Sequence, residues 1–266
     1  MGQSSSETDR SGALVVQLSD THLCGNAAAL LHGINTSDCF NAVLELADAD
    51  LRQADAIVVT GDISHDGSPA SYHFLGERLD ACKGLKYYLP GNHDQPKALR
   101  QSLPQPLWPT VDKLGSWSLV GISTHVPNFE GGILDDAQLD ILVSSLAQQG
   151  ERPVLIAMHH PPIPTGSPWL DEIGLLNAAE FLTLLRRHDN VRAVVFGHAH
   201  QEIDASHHGM RFLGAPATCE QFTPDSDQQL PGYRWLRLLP DGELETGIER
   251  VEGWPAGSAP TRRREG

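Results

Sequence analysis

Basic residues, cysteines and long apolar runs are all scarce in this chain of 266 residues. Lys and Arg number 19 against 34 Asp and Glu, a formal net charge of −15. Binding along a nucleic-acid duplex needs a basic stripe. The one dense basic run, Arg262-Arg263-Arg264, lies in a polar C-terminal stretch and reads as a solvated end. No stretch approaches the roughly 18 apolar residues of a membrane span. The opening "MGQSSSETDRSG" lacks the apolar core of a secretory signal. Gly2 and Ser6 match the short myristoylation pattern, which is too loose to weigh against that. Cys24, Cys39, Cys82 and Cys219 form no C-x-x-C pair, so they are expected as reduced thiols of a cytoplasmic protein. These absences exclude a nucleic-acid polymer or a membrane as partner and leave a small molecule.

What is present is a globular pattern. A hydrophobic content of 40% supplies a sizeable core, and a charged fraction of 20% with evenly scattered apolar runs argues against disorder. The length is large for one domain, but layered α/β folds reach it as one unit. No internal repeat or long linker divides the chain. One domain is expected over 13–252, between disordered tails at 1–12 and 253–266.

Apolar runs of strand length alternate with helix-like segments. "ALVVQLS", "AIVVT", "KYYLP", "SWSLVGIS", "PVLIAM" and "VRAVVF" read as strands. "TSDCFNAVLELADADLRQ" reads as one helix capped by Thr36 or Ser37, and another helix is expected over about 70–81. "DDAQLDILVSSLAQQ" reads as an acid-capped amphipathic helix. "NAAEFLTLLRRHD" reads as a helix with Asn177 at its cap and basic residues near its end, where the helix dipole favours them. After Gly209, "MRFLGAPAT", "GYRWLRLLP" and "GELETGIER" look like a small antiparallel run. Very apolar strands alternating with helices imply an α/β fold whose sheet is covered on both faces.

Five of these strands run into residues that can hold a metal. "ALVVQLS" runs into Asp20-Thr21-His22, "AIVVT" into Gly61-Asp62, and "KYYLP" into Gly91-Asn92-His93-Asp94. "PVLIAM" runs into His159-His160, and "VRAVVF" into Gly197-His198-Ala199-His200. In open α/β sheets, ligands bind outside the carboxyl ends of strands. Asp20 and His22 are two residues apart and would point the same way from an extended segment, as would His198 and His200. The glycines before Asp62, Asn92 and His198 would allow sharp turns. Oxygen and imidazole donors without thiolate suit Mn, Fe, Zn or Co rather than a structural zinc. Asp62, with two carboxylate oxygens, could bridge two ions. Asp20, His22 and His200 could complete one, and Asn92, His159 and His198 the other. Two such ions clamp a phosphoryl group in line with its nucleophile.

The motifs "DTH", "GDISHDG", "GNHD", "HHPP" and "GHAH" resemble those of the calcineurin-like metallophosphoesterase superfamily. "HGINTSDCFNAVLELA", "GSPWLDEIGLLNAAEF" and "APATCEQFTPDSD" followed by "LPGYRWLRLLPDG" are similar to the bacterial class III 3′,5′-cyclic-AMP phosphodiesterases. The resemblance implies a four-layer α/β/β/α sandwich with two mixed sheets, and two divalent ions, Fe or Mn foremost, with Zn or Co as alternatives. It supports the ligand split above and places the metal histidine of the H-H pair at His159, with His160 beside the substrate. It makes His93 the catalytic histidine, and Asn92, His93 and His200 the residues that touch substrate. Asp66 is expected behind the ligands and Gly67 in a turn; His65 is given no role. The implied reaction is hydrolysis of cyclic AMP to 5′-AMP by a metal-bridging hydroxide, with His93 or a metal-bound water protonating the departing 3′-oxygen. The rival activity is broad phosphodiester hydrolysis, on 2′,3′-cyclic nucleotides or glycerophosphodiesters. A metal-dead scaffold or a cyclic-AMP sensor is disfavoured because the full donor set is present. A homodimer is compatible with the resemblance, and the sequence leaves the oligomeric state open. Cys24, Trp169 and the stretch from Thr218 to Phe222 are left between lining the site and packing the core. His207 and His208 are expected in a solvated hairpin.

Overall fold

The computed structural model describes residues 12–104, 108–222 and 229–254. It holds eleven strands in two mixed sheets among those residues. In chain order they are β1 (Ala13–Leu18), β2 (Ala56–Val59), β3 (Leu85–Tyr88), β4 (Thr110–Leu114), β5 (Trp117–Gly121) and β6 (Val154–Ala157). β7 (Val191–Phe196), β8 (Ile203–His207), β9 (Met210–Gly214), β10 (Gly232–Leu238) and β11 (Leu244–Arg250) follow. The helices are α1 (Thr36–Leu46), α2 (Asp48–Gln53), α3 (Pro69–Leu79), α4 (Pro96–Ser102), α5 (Asp136–Gln149), α6 (Pro168–Asp171) and α7 (Ala178–Leu185). The first sheet has the order β11-β10-β1-β2-β3, and the second β4-β5-β6-β7-β9-β8. In the first, β1, β2 and β3 are parallel and β10 and β11 antiparallel. In the second, β5, β6, β7 and β9 are parallel, flanked by antiparallel β4 and β8.

Side-chain parity builds the layers. Leu155, Ala157, Ala193 and Val195 of the second sheet join the cluster that contains Val15, Val16 and Leu18 of β1 and Phe40, Val43, Tyr72 and Leu75 of α1 and α3. Their neighbours Val154, Ile156, Val194 and Phe196 point the other way, onto Leu142 and Leu146 of α5 and Phe181 and Leu185 of α7. Strand residues alternate faces, so a strand that is apolar at every position must be covered on both sides. The four-layer α/β/β/α order implied by the resemblance follows.

Several local expectations change. The helix expected over "TSDCFNAVLELADADLRQ" is two helices meeting at Ala47, whose N–H turns to Val43 O and Glu45 O. Its cap is Asn35, whose Oδ1 accepts from Asp38 N at 3.0 Å, rather than Thr36 or Ser37. Both of those residues lie buried inside the first turn. α3 begins at Pro69 behind a Ser68 cap. Asn177 does not cap α7 with its side chain. Its amide instead holds the preceding segment, accepting from Leu134 N at 3.0 Å and donating to Leu134 O at 2.8 Å. Arg186, Arg187 and His188 lie beyond α7, in a tightening final turn. The last strands are not one antiparallel run. β9 sits in the second sheet, parallel to β7, whereas β10 and β11 cross to the first, where β10 pairs antiparallel with the edge of β1 not taken by β2. His207, the last residue of β8, and His208, in the turn to β9, are both exposed in a hairpin.

The expected tails lie almost wholly outside the described residues, as does Arg262-Arg263-Arg264. Trp254, placed by the sequence in the C-terminal tail, packs on the cluster of Ile34, Cys39, Ala217 and Cys219. No helix among the described residues is long and apolar enough to cross a membrane.

Candidate metal centre at the strand ends

The five motif-bearing segments meet where the two sheets face each other. β1 and β2 continue in step past their ends, with Asp20 N donating to Gly61 O at 3.0 Å and His22 N to Asp62 O at 2.9 Å. The second sheet is stitched to them. His159 Nδ1–H donates to Thr60 O at 2.7 Å, and His198 N donates to both oxygens of Asp20 at 3.1 Å. Gly197 permits that approach, since a Cβ there would lie against Ser19 Oγ and 2.6 Å from Asp20 Oδ2. The expected role of the glycines is thereby revised. Of the three before Asp62, Asn92 and His198, Gly61 alone has a left-handed backbone, with φ +102. At Gly91 and Gly197 close contact rather than turning is the constraint.

The extended-segment expectation is also corrected. Asp20, His22, Asp62, His198 and His200 have φ of 52, 43, 47, 64 and 49. A left-handed non-glycine residue costs about 1 kcal/mol or more, and such residues gather at functional sites. These turns, not a pleat, aim the donors at one another.

The donors form two groups. In the first, His22 Nε2 lies 3.2 Å from His200 Nε2, which is 3.4 Å from Asp20 Oδ1. In the second, Asn92 Oδ1 lies 3.2 Å from His159 Nε2 and 3.0 Å from His198 Nδ1. One atom faces both: Asp62 Oδ2 is 3.7 Å from His22 Nε2 and 3.6 Å from His159 Nε2. Asp62 Oδ1 accepts from His93 N at 2.9 Å. Asp20, His22, Asp62, His159, His198 and His200 are all buried. Buried carboxylates need paired charge, and no Lys or Arg salt bridge reaches Asp20 or Asp62 among the described residues.

Electrostatics agree with an ion-ready cluster. Burial pushes the Asp20 and Asp62 carboxyls up, but the adjacent imidazoles outweigh it and hold both below the usual carboxylate value. Burial first, and then the neighbouring imidazoles, bring His22 and His198 down to about 3 against the pull of Asp62 and Asp20, which keeps both rings neutral, as metal ligation requires. At His159 the cost of burial is outweighed by Asp62, and its pKa rises to about 9. Buried, convergent O and N donors without thiolate fit divalent ions.

The family model described as calcineurin-like phosphoesterase matches residues 13–202. A curated relative from Pseudomonas aeruginosa, named 3′,5′-cyclic adenosine monophosphate phosphodiesterase CpdA, is 40% identical over 92% of this chain and 92% of its own. The chain belongs to the calcineurin-like phosphoesterase family. A Nostoc protein named 3′,5′-cyclic-nucleotide phosphodiesterase is 36% identical over 89% of this chain and 92% of its own. A dimetal phosphatase from Danio rerio superposes with a TM-score of 0.66, covering 91% of this chain and 100% of that one at 17% identity, a likeness of fold. Membership in a calcineurin-like phosphoesterase family implies divalent metal, and the residues here can hold it.

All seven proposed ligands converge in this phosphoesterase site, and His93 stands exposed at its rim. His160 does not join them. Its Nδ1 meets Thr124 Oγ1 at 2.7 Å and its Nε2 meets Glu130 O at 3.0 Å, so both ring nitrogens are used by the fold. Fully buried, it packs against the ring of the proposed ligand His198 at 4.6 Å between centroids and leaves no exposed surface for a substrate. Asp66 accepts from Gly25 N, Ser68 N and Ser64 Oγ and so braces the turn after Asp62. Burial would raise its pKa, but these hydrogen bonds bring it down to about 2. Gly67 turns with φ +67. Cys24 packs its thiol toward His22 O at 3.9 Å, and burial raises its pKa. From Thr218 to Gln221 the chain is buried, with Cys219 Sγ donating to Asp20 O at 3.2 Å. Phe222 stacks on the His200 ring at 4.0 Å, and Trp169, 51% exposed, meets Phe222 edge-on at 5.4 Å.

Four supporting groups escaped the sequence reading. Asp94 ties the second and third motifs by accepting from Ile63 N, Ser64 N and Gly91 N. His125 Nδ1 meets Gly91 O at 2.9 Å, and Thr60 O orients His159. Glu220 O meets His200 Nδ1 at 2.6 Å, and its carboxylate takes His32 Nδ1 at 2.7 Å. Only Asp94 carried a signal, as the fourth member of G-N-H-D; the other contacts involve backbone oxygens, which sequence does not mark.

Proposed function

We propose that this chain is a dinuclear-metal phosphodiesterase that hydrolyses 3′,5′-cyclic AMP to 5′-AMP. The observation that carries the reading is Asp62 Oδ2, set between two groups of metal donors below an exposed histidine. The names of the Pseudomonas and Nostoc relatives supply the substrate class. Two divalent ions, Mn or Fe foremost, supply Lewis acidity and lower the pKa of water toward neutrality when bound.

The residues of the chain do the rest. Asp20, His22 and His200 would hold one ion and Asn92, His159 and His198 the other, with Asp62 shared between the two groups. The two buried carboxylates offset only part of the charge of two divalent ions, so the site attracts a phosphodiester anion although the chain is acidic. In this reading the exposed imidazole of His93 gives the departing ester oxygen a proton. In cyclic AMP the leaving oxygen is O3′, which yields 5′-AMP. Phe222 and Trp169 offer aromatic faces for the adenine. The four thiols are free, which suits a cytoplasmic enzyme.

The test is a substrate panel on metal-free and Mn- or Fe-loaded protein, with products separated and solvent ¹⁸O traced. The expected result is metal-dependent formation of 5′-AMP, with label in the phosphate and not in the ribose. Full activity without metal would overturn the dinuclear reading. Formation of 3′-AMP, or cleavage of bis(p-nitrophenyl) phosphate with cyclic AMP untouched, would overturn the substrate and leave a broad phosphodiesterase.

A further inference from the structure

We propose that His65 is a positioning residue that holds the His93 imidazole, ring against ring, in the orientation from which it protonates the leaving oxygen. The proposal rests on the role given to His93 above.

The backbone of His93 is fixed by its N–H on Asp62 Oδ1, at 2.9 Å, but its ring has no hydrogen-bond partner among the described residues. Two other rings confine it. His22 meets it edge-on, with centroids 4.9 Å apart and planes at 81°. His65 lies nearly parallel to it, with centroids 5.1 Å apart and planes at 25°. His22 is committed to the first donor group through Nε2. His65 is the other ring against which, among the described residues, the exposed ring of His93 rests.

His65 is well placed to be rigid. Its N–H donates to Leu23 O at 2.9 Å, next to the bridge between Leu23 and Ser64, and Ser64 N is held by Asp94 Oδ1 at 2.9 Å. Its own Nδ1 is buried with no hydrogen-bond partner. The imidazole therefore does not anchor the loop through that atom; its ring lies nearly parallel to His93 and meets His22 in a looser, tilted contact at 5.7 Å between centroids. Ring nitrogens of His22, His65 and His93 lie within 4.8 Å of one another. With His22 already turned to Asp62 and His200, the trio leaves two rings, too few for a structural cation. Orientation matters here because a misplacement of about 1 Å costs a reacting group roughly 10²-fold in rate.

The experiment uses the Mn-loaded full chain with cyclic AMP and bis(p-nitrophenyl) phosphate. His65→Ala should lower kcat for cyclic AMP by roughly 10- to 100-fold. KM should stay within about twofold of the parent protein and bound metal should be unchanged, because no ligand is removed. The p-nitrophenyl diester should be nearly unaffected, since p-nitrophenolate leaves without a proton. His65→Phe keeps the ring face without its nitrogens and should restore most of the rate. His65→Ala combined with His93→Ala should be no slower than His93→Ala alone. Multiplying losses in the double variant, metal loss in His65→Ala, equal slowing of both substrates, failure of His65→Phe to restore, or a parental rate in His65→Ala would each overturn the proposal. A His93→Ala loss that ignores the leaving group would instead overturn the role of His93, and that single variant shows it without reference to His65.

Discussion

The two donor groups each carry two imidazoles and one oxygen donor, a carboxylate in the first and an amide in the second, on different supports. Each contains one histidine anchored through its second nitrogen and one whose second nitrogen has no partner. In the second group His159 is anchored on Thr60 O, one residue beyond β2, and His198 has an unpartnered Nε2. In the first group His200 is anchored on Glu220 O, and His22 has an unpartnered Nδ1. Thr60 belongs to the sheet framework, with its N–H on Leu18 O at 2.9 Å and its hydroxyl on Ser19 Oγ at 2.7 Å. Glu220 belongs to the loop after β9, and its carboxylate is shared with His32, whose side chain is 55% exposed. Behind His198 stands the fully buried His160, whereas behind His200 stands the half-buried Phe222. One group is built into the seam between the sheets, and the other is closed by loops. Groups that orient ligands tune metal affinity by roughly 10- to 100-fold, so on support alone the second group is expected to be the tighter holder.

The largest effect should come from the atom the two groups share. Asp62→Ala should abolish turnover by more than about 10³-fold and release both ions, measured by metal analysis beside a cyclic-AMP assay. Retention of two ions would show that the groups are independent. Graded chelation of the parent protein sharpens the contrast: one ion should leave first and the second only at roughly 10- to 100-fold more chelator. His200→Ala should keep the tightly held ion, and His159→Ala should lose it. Release in the reverse order, or together, would remove the distinction between sheet and loop support.

His160→Ala should act on stability. It strips Thr124 Oγ1 and Glu130 O of their partner and leaves a cavity, a cost of about 2–4 kcal/mol visible as a lower denaturation midpoint. KM for cyclic AMP should be unchanged; a raised KM with parental stability would return His160 to the substrate. The smallest effect is expected at His32. His32→Ala frees one carboxylate at the margin of the loop-built group and should change turnover by less than about threefold. A larger loss, with metal released, would mean that the loop closure is as rigid as the seam.

The fold was legible where physics is local. Apolar strands such as "VRAVVF" must be covered on both faces, and Asp135 caps α5 as the acid-capped pattern implies, accepting from Gln138 N at 2.8 Å. It was less legible where two local solutions compete. Asn177, a good cap by type, is drawn off by Leu134. β9 and β10 have similar patterns yet enter different sheets, a choice made by which edges stand open. The candidate site was legible as a set of donors, because carboxylates and imidazoles at strand ends have few other reasons to be there. Its supports were not, because backbone oxygens such as those of Thr60, Gly91 and Glu220 carry no residue signature.

By itself the sequence determined the donor inventory, the strand ends that carry it, and an acidic chain without a basic stripe or apolar span. These are matters of composition and of the alternation along one segment. Only the tertiary structure decided which atom of each residue does the facing. Left-handed turns at Asp20, His22, Asp62, His198 and His200 rotate side chains that an extended chain would have aimed elsewhere. The approach of two sheets sets Asp62 Oδ2 between His22 and His159, turns His160 away from its neighbour's task, and lays His65 along His93. Contacts between segments tens of residues apart depend on how the layers close, and no local pattern encodes that distance.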